Sequence, residues 1–364
     1  MTSQTTLCVD RHNFEALTPI QRKMGALEPE HIRVKITSFA MTANNVTYMV
    51  TGDLIGYWKF FDPKAYGIDG ETLGRMPVWG FAEITESHVP ELNTGTQIYG
   101  FFPVADYFDM KPIKINPMGF SDGAEHRLPL HPIYNRYMLT EADPSFGGGF
   151  EDLQPILRPL FTTSFLIDDF LAREGFFGAE QVLLLSASSK TALGTAFCLS
   201  QREGIKAAGL TSSRNAPFVE GTGFYDNVET YDTITDLNPD IKTVIVDMAG
   251  NGDVSKTLYD HFEENIVYNC MVGKSHWEGE RPPKISAGAP PIMFFAPDQA
   301  KQRIKDWGPD GFAKNLGARW IPFLNSAKDW MHVKNHDGVD AFTTVYQALL
   351  RGDVPAYEGH LIRL

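Results

Sequence analysis

The sequence predicts an α/β protein in two parts, a β-rich first domain followed by a doubly wound parallel sheet. Three observations carry that prediction. Up to about residue 112 the chain consists of short strands and turns, with period-two alternation in His31-Ile32-Arg33-Val34-Lys35-Ile36. Beyond residue 180, near-continuous apolar runs alternate with helical patterns, as expected of a parallel sheet covered on both faces. The length, 364 residues at 43% hydrophobic, is enough for two cores.

In chain order, Phe81-Ala82-Glu83-Ile84 and Gln97-Ile98-Tyr99-Gly100-Phe101 continue the strand pattern of the first domain. Residues 111–149 are rich in Pro, Gly and aromatics and read as an elaborated loop region beside a cleft. Leu153 to Arg173 reads as a helix after its prolines. Strands are then expected at Val182–Leu185, Ile205–Leu210, Val228–Tyr231, Thr243–Asp247, Ile266–Val272 and Pro291–Phe295. Val254, Leu258 and Phe262, four residues apart, mark the helix after the fourth strand, and a last helix is expected near Ala341–Leu350. The expected division is 1–155 for the β-rich domain, with 305–364 returning to it, and 156–304 for the parallel sheet.

A net charge of −13 without a long Lys/Arg run argues against nucleic acid or an anionic membrane as partner. Neither a leader pattern nor a membrane-spanning run is apparent, so a soluble, cytoplasmic protein is expected. Cys8, Cys198 and Cys270 lie too far apart to suggest a disulfide framework or a structural zinc site.

The most informative stretch is Gln181–Asn215. The strand Val182–Leu185 runs into the small polar turn Ser186-Ala187-Ser188-Ser189-Lys190-Thr191 and then a helix, whose N-terminal amides and partial positive charge suit a pyrophosphate. The next strand ends in Thr211-Ser212-Ser213-Arg214-Asn215, where an NAD-preferring unit places an acidic residue. Ser188, Ser189, Lys190 and Thr191 are therefore expected to hold a pyrophosphate, and Ser213 and Arg214 a ribose phosphate, which together describe NADPH. The glycine fingerprint of such turns is missing, and the alternative is an ordinary βαβ unit with a serine-rich turn. The Gly-x-x-x-x-Gly-Lys frame of a P-loop and a Gly-x-Ser-x-Gly elbow are also absent.

The order of these parts resembles that of the medium-chain dehydrogenase/reductases. More specifically, Thr42-Ala43-Asn44-Asn45-Val46-Thr47-Tyr48, Val78-Trp79-Gly80-Phe81-Ala82-Glu83, Arg158-Pro159-Leu160-Phe161-Thr162-Thr163-Ser164-Phe165, Ser186 to Gly194 and Val246-Asp247-Met248-Ala249-Gly250-Asn251 resemble a family of bacterial and fungal proteins catalogued as a domain of unknown function. The wider resemblance, to quinone and enoyl reductases, implies a GroES-like domain, a Rossmann domain and an NADPH-bound cleft between them. It also implies a homodimer.

Where the zinc enzymes of that superfamily carry metal ligands, this sequence has Asn44-Asn45 and Trp79-Gly80-Phe81-Ala82-Glu83, so no metal is expected. Hydride transfer without a Lewis acid needs a group to hold the developing oxyanion. Tyr48 with Asn45 is the candidate pair, since zinc-free relatives keep Asn-x-x-Asp near the nicotinamide; the alternative is a tyrosine that only caps its neighbours. His276, after the fifth strand, is a further catalytic candidate. Thr163 resembles the superfamily threonine at the start of the helix under the nicotinamide, and would otherwise be an N-cap. Asp247 and Asn251 are expected at the nicotinamide ribose, unless Asp247 caps the next helix. Tyr57-Trp58-x-Phe60-Phe61 would wall an apolar substrate or simply fill the core.

The reading that follows is an NADPH-dependent, metal-independent oxidoreductase reducing an activated C=C or a carbonyl of an apolar small molecule. The alternative from another class is a non-catalytic NADPH-binding accessory or sensor protein. A methyltransferase-like sheet is a third reading, against which the Ser212-Ser213-Arg214 run stands, because adenosine ligands without a 2′-phosphate need no cation there.

Overall fold

The computed structural model describes residues 3–273 and 287–364. The chain forms two compact units, Met1–Ile156 with His332–Leu364, and Leu157–Met331.

In the first unit, β1 (Ser3–Asp10) pairs antiparallel with β2 (Leu17–Lys23), and its far edge takes β4 (Leu73–Gly74). The alternation seen around Ile32 becomes β3 (Ile32–Met41), which leads into helix α1 (Ala43–Val50). Strands β5 (Pro77–Ser87), β6 (Gln97–Pro103) and β7 (Tyr107–Met110) complete the antiparallel centre, with β5 and β7 both pairing with β3. Phe39, Phe61, Phe101 and Phe102 are fully buried here, in an unusually aromatic core.

Residues 111–149 are not simply loop. They carry β8 (Pro112–Asn116), β9 (Gly119–Asp122) and β10 (Arg136–Leu139), which extend the sheet from β6. What fixes these short strands is a buried polar hub rather than apolar alternation, so periodicity does not reveal them. Arg127, wholly buried, donates Nη1 to Asp122 Oδ2 at 2.7 Å and to Tyr137 Oη at 2.9 Å, Nε to Asn135 Oδ1 at 2.8 Å and Nη2 to the Tyr134 carbonyl at 2.8 Å. A guanidinium so far from water is tolerable only when its donors are satisfied and a carboxylate balances its charge.

Helix α2 (Gln154–Arg173) runs through Pro159 instead of starting after it. The second unit then builds a parallel sheet from β11 (Gln181–Leu185), β12 (Lys206–Thr211), β13 (Asn227–Thr230), β14 (Thr243–Asp247), β15 (Ile266–Met271) and β16 (Pro291–Met293). Its order is β13-β12-β11-β14-β15-β16, with neighbouring strands parallel throughout. The interspersed helices are α3 (Lys190–Leu199), α4 (Ala216–Gly221) and α5 (Gly252–Phe262). Gly194 lets α3 lie close against α2, because a Cβ there would sit 2.6 Å from Ser164 Oγ.

Residues 305–331 belong to this second unit, not to the segment that returns. Helix α6 (Ala296–Trp330) breaks at Gly308, whose φ of 73° precedes Pro309. Its second half stacks Phe323 on Phe161 with ring centroids 4.6 Å apart and sets Trp320 beside both. That aromatic burial holds it where it is. The return begins at β17 (His332–Asp337) and continues through α7 (Gly338–Leu350) to β18 (Glu358–Arg363), which pairs antiparallel with β3. Phe342 of α7 packs edge-on against Phe39.

Candidate functional site

The order of the parallel sheet reverses between β11 and β14. Chains leave these two strands in opposite directions, so the carboxyl ends open a crevice at this point, and ligands of such sheets bind in it. A small pocket lies there, lined by Leu185, Ser186, Tyr231, Asp247, Ala249, Asn251 and Val254.

Leu185 and Ser186, where β11 passes into the turn before α3, form part of its wall. Ser186 adopts a left-handed φ of 52°. Ser189 caps α3, its Oγ accepting the Ala192 amide at 3.2 Å. Lys190 and Thr191 open the helix and are half-buried, and first-turn amides have no acceptor within their own helix. Ser188 Oγ accepts from Asn215 Nδ2 at 3.1 Å, which ties the turn to the tip of β12. At that tip Ser213 and Arg214 are exposed. The structure thus brings Ser188, Ser189, Lys190, Thr191, Ser213 and Arg214 to two adjoining strand tips.

Two tyrosines brace the turn, and sequence reasoning missed both. Tyr225 Oη donates to the Ala187 carbonyl at 2.8 Å, and the Ser186 amide donates to Tyr231 Oη at 3.1 Å. Gly209 leaves room for the first of these, since a Cβ there would lie 2.9 Å from the Tyr225 ring and 3.0 Å from Ala187 Cβ. A glycine in the middle of the second strand, with tyrosines shortly after it, was the available signal. Here side-chain bonds position the loop, where a glycine-rich turn depends on backbone freedom.

Asp247 and Asn251 line the pocket but spend their side chains on the backbone. Asp247 Oδ1 accepts the amides of Ala249 at 2.9 Å and Gly250 at 2.8 Å. Asn251, not Asp247, caps α5, accepting from Asp253 and Val254. Thr163 is neither at a helix start nor an N-cap: it sits in the middle of α2, its hydroxyl turned back to the Pro159 carbonyl at 3.4 Å. The helix begins at Gln154, ahead of its prolines, which carries Thr163 away from its end.

In the first unit, α1 presents Tyr48 to a dry aromatic cluster. Tyr48 is 5% exposed, its ring 4.6 Å from that of Tyr57 and edge-on to Phe101. Trp79 Nε1 donates to its hydroxyl at 2.9 Å. Burial holds the Tyr48 phenol well above its ordinary pKa; the neighbouring Tyr57 pushes the same way, and hydrogen bonds from Trp79 and Asn44 oppose both. It is therefore a neutral donor, not a base. Asn45 lies beside it, with Oδ1 accepting the Thr42 amide at 2.8 Å and Nδ2 donating to the Pro77 carbonyl at 3.0 Å. Its amide staples α1 to β5. Trp58, Phe60 and Phe61 are core, at 5%, 3% and 0% exposure, and of these Trp58 also lines a surface pocket with Arg11, Asp53 and Lys59.

His276 lies outside the described residues. Among the described residues, no group of three His, Cys, Asp or Glu is placed to hold a metal ion, and no helix is long and apolar enough to cross a membrane.

Known proteins place this architecture. CurA from Vibrio vulnificus in complex with NADPH superposes with a TM-score of 0.61 at 12% identity, covering 99% of this chain and 98% of that one. The yhdH oxidoreductase from Salmonella enterica in complex with NADP gives 0.54 at 11% identity, covering 99% of each chain. The quinone oxidoreductase from Coxiella burnetii gives 0.51 at 14%, covering 100% of each. No curated protein matches the sequence. The family described as "Protein of unknown function (DUF2855)" matches residues 39–355. With its antiparallel first unit and its six-stranded parallel second unit, the chain is a member of that family, built on the GroES-like and Rossmann architecture of the medium-chain dehydrogenase/reductases.

Proposed function

We propose that the protein is an NADPH-dependent oxidoreductase that reduces an activated C=C or a carbonyl of an apolar small molecule without a metal. The observation that carries this reading is the point where the parallel sheet reverses, where a small pocket touches Ser186, the turn runs on into a capped helix start, and the tip of the neighbouring strand carries an exposed arginine and serine. That donor set fits a dinucleotide carrying a third phosphate: amides, hydroxyls and a lysine for the pyrophosphate, and Arg214 with Ser213 for the 2′-phosphate. Fold-level likeness to proteins solved with NADPH or NADP supports it.

Bound there, NADPH would supply a hydride. For an enone, that chemistry would leave the negative charge on the carbonyl oxygen. Tyr48 donates its hydroxyl proton in a hydrogen bond to that oxygen, and water then supplies a proton to the α-carbon. Asn45, its amide engaged on both sides, acts here by setting α1 against β5. The dry aromatic surroundings of Tyr48 suit a substrate with little charge.

A second reading, a nucleotide-binding protein without turnover, is favoured by one observation: the Ser186 amide is already taken by Tyr231. The test is a fluorescence titration of the protein with NADPH and with NADH, repeated on Arg214→Ala, followed by turnover with an enone and a quinone. Tighter binding of NADPH, lost in the variant, and acceptor-dependent oxidation support the enzyme. Binding with no oxidation by any acceptor supports the second reading, and no binding sinks both.

A further inference from the structure

We infer that Trp79 is the positioning residue of Tyr48: its indole N–H fills a lone pair of the phenol oxygen, turns the hydroxyl proton away from itself, and strengthens that proton as a donor to a substrate oxygen. The inference deepens the reading of Tyr48 given above and rests on it.

The direction of the bond is not open to choice. An indole nitrogen donates and never accepts, so at 2.9 Å from Trp79 Nε1 the Tyr48 oxygen must be the acceptor. A phenol oxygen has two acceptor positions and one proton. With the indole N–H at one acceptor position, the Tyr48 proton is turned away from Trp79 and is what the phenol can offer to another oxygen.

Trp79 is held to this task by its neighbours. Its ring stacks on Tyr99 at 5.7 Å with a 19° tilt and packs on Phe101 at 5.0 Å and Tyr134 at 6.1 Å. Tyr48 stands on α1 and Trp79 on β5, separate elements that the Asn45 amide joins through Pro77, two residues before Trp79. When a substrate oxygen gains negative charge and draws on the Tyr48 proton, the phenol oxygen becomes more negative and the indole bond tightens. A phenylalanine at position 79 would keep most of the packing and lose only this.

The test is the set Trp79→Phe, Tyr48→Phe and the double variant, assayed for NADPH oxidation by an α,β-unsaturated ketone. Trp79→Phe is expected to lower kcat about five- to tenfold, the worth of one neutral hydrogen bond, with the KM for NADPH unchanged. In the Tyr48→Phe background it is expected to cost nothing further. Wild-type kcat in Trp79→Phe, or an equal loss in both backgrounds, overturns the inference and makes Trp79 mere packing. Should Tyr48→Phe itself turn over at the wild-type rate, the fault lies with the reading of Tyr48. As a readout independent of turnover, the Trp79 indole proton resonance should move upfield in Tyr48→Phe, and an unchanged resonance overturns the inference. Replacing Trp79 by its benzothiophene analogue, which keeps the ring and lacks the N–H, should reproduce the kcat loss of Trp79→Phe if that variant folds poorly.

Discussion

The turn between β11 and α3 and the surroundings of Tyr48 are built in opposite ways. The turn is half-exposed and polar, shaped by hydroxyls, backbone bonds and two bracing tyrosines. Tyr48 stands among rings, where the polar atoms are few and paired: its phenol oxygen with the Trp79 indole, and the Tyr57 hydroxyl with that of Tyr134. Water can replace much of what a change removes at the turn, whereas near Tyr48 a lost partner leaves a dry polar atom. The first region should therefore tolerate substitution with shifts in affinity, and the second only with losses of rate or stability.

The largest expected effect tests the dry side of this contrast. Asp122→Ala leaves the wholly buried Arg127 without its carboxylate and is expected to destabilise the protein by about 3–5 kcal/mol, read as a fall in the urea midpoint. A cost near that of a surface change would break the contrast. Next, Tyr48→Phe is expected to lower kcat roughly 100- to 1,000-fold, as for removal of an oxyanion donor, while NADPH affinity stays put. Because burial raises the Tyr48 pKa, its proton is present at every pH below the ordinary tyrosine value of about 10 and is lost only above it. Wild-type kcat should thus show no alkaline fall attributable to Tyr48 up to about pH 9, and one centred near pH 7 would argue for a different acid.

On the polar side, Arg214→Ala is expected to weaken NADPH binding by roughly 1.5–3 kcal/mol, the range for hydrogen bonds to charged groups, and to leave NADH binding as it was. Equal losses for both coenzymes in the titration would place the phosphate elsewhere. The smallest effect is expected from Ser189→Ala, which removes the cap of α3 at a cost of about 1 kcal/mol in thermal stability. If it proves as costly as Asp122→Ala, the turn is not the forgiving region described.

The parts of the fold legible from residues alone were those written in periodicity. Val182–Leu185 and Thr243–Asp247 are fully buried strands because each is an unbroken run that only a sheet covered on both faces can accept. Residues 111–149 were opaque because the Arg127 hub, not alternation, holds β8, β9 and β10. The start of α2 is hidden because prolines favour helix ends, and this helix tolerates Pro159 in its interior. Of the candidate site, the two strand tips proposed to hold phosphates are readable from hydroxyls and an arginine at strand ends. Tyr225 and Tyr231, far along the chain from the turn they hold, are not.

The amino-acid order alone determined that strands alternate with helices after residue 180, that a small polar turn follows the first of those strands, and that a cation follows the second, since these depend on neighbours in the chain. Only the tertiary structure decided that Asn45 braces instead of facing a ligand, that Asn251 rather than Asp247 caps α5, and that Trp79 donates to Tyr48. The physical reason is that a side chain's role is set by which donor or acceptor lies within about 3 Å, and for Asn45 and Tyr48 the decisive partner comes from a strand some thirty residues away that only folding brings near.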